Sequence, residues 1–169
     1  MERSSIEAIV RTLNGANVRY LIAGGLAVVA HGYVRLTADV DLILDLEPAN
    51  VRQAMNAFRA LEYRPRAPVD LDDFCDAAKR AQWVRDKGLT VFSLYSPAHV
   101  ATEIDVFVEP PLDFGRAYDT AARMDVAPGV SATFVGLRDL LRLKHAAARA
   151  QDLLDIDRLE ALRKEPADE

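Results

Sequence analysis

The sequence predicts an α/β fold of the α+β kind, with a mixed β-sheet flanked by helices and followed by C-terminal helices. Three observations carry that expectation. The hydrophobic period changes repeatedly between two and about 3.6 residues, so strands and helices should alternate along the chain. A short apolar run ends on Gly24-Gly25 and gives way at once to a helical pattern. The chain has 169 residues, 50% of them hydrophobic, which is enough for one core without disulfide help. A single domain over residues 1–169 is therefore expected, with a core at about 5–135 and a helical segment at about 136–164.

Ser4-x-x-Glu7 has the spacing of a capping box, and Ile6, Ile9, Val10 and Leu13 follow at helical spacing. A first helix is expected from about Ser5 to Leu13, closed by Asn14-Gly15. Val18 to Ala23 reads as a strand, Gly24-Gly25 as a turn, and Leu26 to His31 as a brief helix stopping near Gly32. Asp39 to Asp45 alternates, with Val40, Leu42 and Leu44 on one face and Asp39, Asp41 and Ile43 on the other. Pro48 opens a helix that turns Val51, Met55, Phe58 and Leu61 inward, and Arg64 to Pro68 reads as a loop. Asp72 to Lys87 is expected as another helix, ending at Gly88.

Leu89 to Tyr95 and Thr102 to Val108 are rich in β-branched and aromatic residues, and Ser96-Pro97 supplies the turn of a strand pair. A short helix near Phe114 to Ala121 precedes strands around Met124 to Ala127 and Ala132 to Val135. Helices at about Leu137 to Arg149 and Asp152 to Lys164 complete the chain, and Glu165 to Glu169 are expected to fray.

Composition excludes some classes of function. A formal net charge of −5 argues against a protein that simply coats nucleic acid, since such binding needs an excess of Lys and Arg. The longest apolar run, Leu21 to Ala30, is interrupted by two glycines and too short to span a bilayer, and the N-terminal residues lack a secretory pattern. Cys75, the single cysteine, has no partner for a disulfide or a Cys-x-x-Cys pair. A cytoplasmic protein with no membrane association is expected.

The residues that could carry chemistry begin with Asp39-Val40-Asp41. A two-residue offset in a strand puts both carboxylates on one face, their Cα atoms about 7 Å apart. Like charges so held repel unless a cation or a shared proton offsets them, and carboxylate oxygens suit Mg²⁺. The competing reading is a solvated strand face. Gly24-Gly25, where a strand yields to a helix, lets the backbone approach a ligand closely and suits phosphate oxygens; the competing reading is a tight turn or close packing. Asp105 lies in the apolar run Ile104-Asp105-Val106-Phe107-Val108, where an acid needs a partner; the competing reading is an edge-strand charge that blunts aggregation. It is the third carboxylate that a two-metal site would require, with Glu103 on the same face.

These residues resemble a known signature. Gly24-Gly25-Leu26-Ala27-Val28, His31-Gly32, Arg35-Leu36-Thr37 and Asp39-Val40-Asp41-Leu42 resemble the nucleotidyltransferase fold of the polymerase-β-like superfamily, with particular likeness to the bacterial AbiEii-type and related small nucleotidyltransferase-like proteins. Asp105 in Glu103-Ile104-Asp105-Val106 matches the family's third aspartate, and Lys144 to Asp155 looks like its helical tail. The resemblance implies a nucleotidyltransferase that moves a nucleoside monophosphate from an NTP to an acceptor hydroxyl and releases pyrophosphate. It implies Asp39, Asp41 and Asp105 as catalytic residues and as ligands of Mg²⁺, two ions in all, with Mn²⁺ as a substitute. Many members carry Gly-Ser at the turn, whereas Gly-Gly stands here, as in the AbiEii-like branch. Phosphate contacts then fall to the backbone at Gly24 and Gly25 and to basic side chains, with Arg35 and Lys144 as suppliers. The acceptor implied is a tRNA end, a protein side chain or a small alcohol, and the setting a toxin–antitoxin system with a cognate toxin or antitoxin as partner.

Two rivals stand beside that reading. A catalytically silent nucleotide- or partner-binding module of the same fold is suggested by glycine in place of serine. Metal-dependent phosphoester hydrolysis is open to the same carboxylates. Other residues carry less: His31 reads as a surface or capping histidine, Trp83 as a packing residue, Asp152 as the N-cap of the last helix and Asp155 as a first-turn acid. Arg138, Arg142, His145 and Arg149 align at helical spacing, either as a stripe for nucleic-acid phosphates or as a solvated face with pairs such as Asp139 with Arg142.

Overall fold

A computed structural model describes residues 2–164. The fold is the expected mixed α/β arrangement. Its elements are α1 (Arg3–Gly15), β1 (Tyr20–Ile22), α2 (Gly24–Ala30), β2 (Asp39–Leu44), α3 (Pro48–Ala60), β3 (Arg64–Pro65), a 3₁₀ turn (Leu71–Cys75), α4 (Ala77–Lys87), β4 (Val91–Tyr95) and β5 (Glu103–Phe107). These are followed by α5 (Phe114–Asp119), β6 (Ala122–Ala127), β7 (Val130–Phe134), α6 (Leu137–Ala147) and α7 (Ala150–Lys164). One 7-stranded sheet runs in the order β3-β4-β5-β2-β1-β7-β6. β2 pairs with β5 and β1 with β7 in parallel, and the remaining neighbours are antiparallel.

The centre of the sheet is the driest part of the molecule. Leu21, Ile22, Val40, Leu42, Ile43, Ile104 and Val106 are all buried there, which is the large apolar area that drives folding. α1 packs against α3, β6 and β7, while α2 packs on β2 and meets α6, which in turn carries α7. Asn50 of α3 ties this centre together, since its side chain bonds the Arg19 N–H and the carbonyls of Arg19 and Asp45 at 2.7, 3.0 and 2.8 Å. β1 and β2 are thereby fixed at the end opposite the glycines.

Several local expectations are corrected. α1 starts at Arg3 behind Glu2, and no side chain caps it; Ser5 faces inward and meets His99 Nδ1 at 2.9 Å, which leaves the Ser4–Glu7 box unused. Gly24 and Gly25 belong to α2 itself rather than to a turn before it. The Arg64–Pro68 segment is not wholly loop, because Arg64–Pro65 adds an edge strand to β4. Proline is tolerated at such an edge, where no further ladder partner needs its missing N–H. The helix expected from Asp72 to Lys87 is broken at Asp76, whose carboxylate accepts from the N–H groups of Ala78 and Lys79 and so starts α4 afresh. α6 ends at Ala147, with Ala148 left-handed at φ 50°, so Arg149 lies outside it. The expected fraying falls on residues outside those described.

Trp83 is the packing residue expected, stacked on Phe92 with ring centroids 5.3 Å apart. His31 follows α2 and its Nε2–H donates to the Val135 carbonyl at 2.8 Å, holding α2 to the end of β7. No helix among the described residues is long and apolar enough to cross a membrane.

Candidate functional site

The site is built on the central parallel pair. Alternation along β2 turns Asp39 and Asp41 to one face, and register places Asp39 beside Glu103 and Asp41 beside Asp105 on β5. Neighbouring strands lie about 4.8 Å apart, so Asp41 and Asp105 are cross-strand neighbours on the same face. Ser93 of β4 stands opposite Asp105 on its other side and donates its hydroxyl to Asp105 Oδ1 at 2.5 Å. Glu103 is bound by both arms of the Arg66 guanidinium, one of them at 2.7 Å, and the hydrogen bonding to Arg66 holds its carboxyl below the usual range.

The glycines meet this face directly. The Ala23 N–H donates to the Asp41 carbonyl at 2.9 Å, which brings the start of α2 against β2. Gly24 has φ +57°, and a Cβ there would lie 1.8 Å from Asp41 Oδ2. Glycine is therefore required at residue 24 both by conformation and by the proximity of the carboxylate. A Cβ at Gly25 would lie 2.4 Å from Thr37 Oγ1 and 3.0 Å from Arg35 Nη2.

One cavity of about 860 Å³ takes in Gly24, Gly25, Arg35, Thr37, the three aspartates, Lys144 and Arg149. All the residues expected from the sequence to form the site thus line a single space. The basic ones are already engaged. Arg35 grips Asp155 with two parallel bonds of 2.8 and 2.9 Å, and Lys144 lies between Asp152 at 2.9 Å and Asp155 at 2.7 Å. Asp155 is fully buried, and burial alone would push its carboxyl up. Hydrogen bonds from Arg35, Lys144 and Gln151 outweigh that and hold it below the usual range. Asp152 is not the N-cap of α7. It sits in the first turn, where it accepts from the Arg149 N–H at 3.2 Å and from Arg149 Nε at 2.8 Å. Asp155 likewise does more than favour that turn, since it joins α7 to the segment carrying Arg35.

The acidic face is electrostatically strained. Burial first, then Asp105 and Asp39, push the Asp41 carboxyl up to about 6, against the opposing pull of Lys144 and Arg149. Asp39 is pushed up by burial and by Asp105 and Glu103, with Arg66 opposing. Hard carboxylate oxygens carrying such repulsion are the donor set that a divalent cation of the Mg²⁺ type relieves, so the residues fit that group in chemistry. They do not enclose it as they stand: among the described residues, no group of three or more His, Cys, Asp or Glu side chains is gathered closely enough to hold an ion. Asp105, one of whose oxygens is bonded to Ser93, is the side chain that would complete the set.

Sequence reasoning missed Ser93, Arg149 as a cavity residue, and the roles of Asp152 and Asp155. Two C-terminal helices are legible in the sequence, but not that α7 folds back so that its acids meet Lys144 and Arg35. The basic stripe is shortened. Arg138, Arg142 and His145 remain on an exposed face of α6, and Arg142 and Arg116 both pair with Asp139. Comparison with known protein-family models finds no match to this sequence, and comparison with curated proteins finds none either.

Proposed function

We propose that the chain is a metal-dependent nucleotidyltransferase, moving a nucleoside monophosphate from an NTP to an acceptor hydroxyl with release of pyrophosphate. The observation that carries this reading is the meeting, in one cavity, of Asp39, Asp41 and Asp105 with the closely approaching backbone of Gly24-Gly25 and a basic wall. At about 860 Å³ the cavity falls within the size range of small-ligand sites.

Asp39 and Asp41 would hold the metal, and Asp105 would complete its ligands on the acceptor side. Mg²⁺, as two ions, would supply charge neutralisation at the attacking and departing oxygens. The Asp105 oxygen not bonded to Ser93 would accept the proton of the acceptor hydroxyl as its oxygen joins the α-phosphorus and the bond to the bridging oxygen of pyrophosphate breaks. Gly24 and Gly25 let the triphosphate approach the backbone. Arg149, the most exposed cation of the wall, is the one best placed to meet it, while Arg35 and Lys144 act from behind through Asp155 and Asp152.

A second reading has its own support. Arg35 and Lys144 are saturated by internal carboxylates and the three aspartates do not form a closed set of ligands, as suits a binding module of the same fold that no longer catalyses. The acceptor proposed is a hydroxyl of RNA, protein or a small molecule, in a toxin–antitoxin setting with a cognate protein partner.

Isothermal titration of each NTP with Mg²⁺ separates the readings. Binding should weaken at least about tenfold in Asp39→Asn/Asp41→Asn of unchanged fold, each lost interaction of this kind being worth about 1.4 kcal/mol or more. Pyrophosphate release on addition of acceptor extracts would then mark transfer. Nucleotide binding without any pyrophosphate release would favour the silent module, and no binding of any NTP to the wild-type protein would remove the nucleotide reading.

A further inference from the structure

The two edges of the sheet are finished differently. β3 closes one side with only two residues, and Pro65 has no N–H to offer a further strand, so that edge is blunt. β6 closes the other side with six residues, Ala122–Ala127, none of them proline. Its ladder is with β7 alone, and among the described residues no backbone group outside that ladder pairs with residues 122–127. Alternate residues of an antiparallel strand turn their N–H and C=O groups to opposite sides, so β6 presents a row of unpaired groups away from β7.

The side chains of this edge say what fits it. Alternation puts Arg123 and Asp125 on one face, both exposed, while Ala122, Met124 and Val126 take the other face and pack half-buried against the core. Arg123 reaches the Thr133 hydroxyl at 3.3 Å and the Tyr118 ring at 5.6 Å, and neither it nor Asp125 belongs to an ion pair among the described residues. A cation and an anion two residues apart on one face of an edge strand are complementary to their own copy. About a two-fold axis through residue 124, a second β6 runs antiparallel, and Arg123 stands opposite Asp125 of the partner subunit twice over. Directly opposed Cβ atoms lie about 5 Å apart, within reach of an ion pair. The charges also fix the register: a copy moved by two residues would set Arg123 against Arg123 in one direction and Asp125 against Asp125 in the other. The bulge between Asp125 and Ala127 bends the edge beyond this point and keeps the contact short.

We propose that the β6 edge is the docking surface for a second copy of this chain, paired antiparallel about residue 124 so that two 7-stranded sheets join into one. The interface is independent of the nucleotide reading. β1 and β7 lie between β6 and the acidic strand β2, and no residue of β6 lines the main cavity, so each copy keeps its own site away from the contact. One short strand per copy buries less than a standard interface, and a dissociation constant of about 10 μM is expected.

The test is sedimentation velocity from about 1 to about 300 μM, a range that brackets the expected constant. It compares the wild-type chain with Arg123→Asp, Asp125→Arg and Arg123→Asp/Asp125→Arg, each checked for fold by far-ultraviolet circular dichroism. Either single reversal should weaken self-association at least about tenfold, because two like-charged pairs replace two ion pairs. The double variant, with the charges exchanged, should associate as the wild type does. An equimolar mixture of the two single variants should associate at least about tenfold more tightly than either alone, since each supplies the charge the other lacks. A wild type that stays monomeric throughout the range overturns the proposal. So does a dimer that both single variants form as tightly as the wild type, and so does a mixture that associates no more tightly than its components.

Discussion

Asp41 shows how much of the site's character is set by one side chain. Its carboxyl is pushed from 3.8 to about 6, by burial first and then by Asp105 and Asp39, so the folded chain holds that proton more tightly than the unfolded chain. The associated stability is fully present below about pH 4 and is lost as pH rises through about 6. The shift of about two units corresponds to roughly 3 kcal/mol. Asp41→Asn is therefore expected to stabilise the metal-free protein by up to about that amount at about pH 7.5 and hardly at all at about pH 4. Urea unfolding in EDTA at both values measures it, and an equal difference at the two would show that Asp41 is not under strain. At this scale the carboxylates were legible in the sequence, because alternation alone puts Asp39 and Asp41 on one face and makes Asp105 an anomaly among apolar neighbours. Thr37 stood in the sequence only as part of the Arg35-Leu36-Thr37 stretch of the resemblance, with no role of its own; that its hydroxyl lies against Gly25 is visible only in the fold.

Between elements, the links that matter are ionic and distant in sequence. Arg35 and Asp155 are 120 residues apart, and together with Lys144 they fasten α7 to α6 and to the segment before β2. Removing one partner of a buried pair strands the other charge, at a cost of about 3–5 kcal/mol. Lys144→Met, which takes a partner from both Asp152 and Asp155 and leaves them Arg149 and Arg35, should cost up to about that much in chemical denaturation, and Arg35→Met less, because it touches Asp155 alone, which keeps Lys144 and Gln151. Equal costs would mean that Arg35 contributes as much through Asp155 alone as Lys144 does through both carboxylates. The held-down carboxyl of Asp155 makes its contribution present above the usual carboxylate range and lost as pH falls beneath it. Periodicity located nearly every helix and strand, but it could not see where local side-chain bonds win. The Asp76 cap breaks an otherwise continuous helical pattern. Arg64–Pro65 becomes a strand only because β4 offers an edge.

The whole molecule is organised around one continuous sheet whose middle strands come from both halves of the chain. β1 pairs with β7 and β2 with β5, so neither half can complete its sheet alone. Trp83, stacked on Phe92 of β4, reports from the β3–β4 side, whereas the helical signal is spread over the chain. A single cooperative domain should give coincident urea transitions by tryptophan fluorescence and far-ultraviolet circular dichroism. Separated midpoints would divide the molecule into independently unfolding parts.

The segment of residues 33–38 has a consequence for how such a protein can change. Its backbone belongs to neither ladder nor helix, and its one strong tether runs through the Arg35 side chain. The carboxylates, by contrast, ride on β2 and β5, where a one-residue slip of register would turn the acids into the core. Val34, Leu36 and Ala38, which point outward, can therefore vary while Arg35, Thr37 and the neighbouring strand stay fixed. Exchanging those three side chains would alter the rim of the cavity, which Leu36 and Ala38 line, without moving the carboxylates.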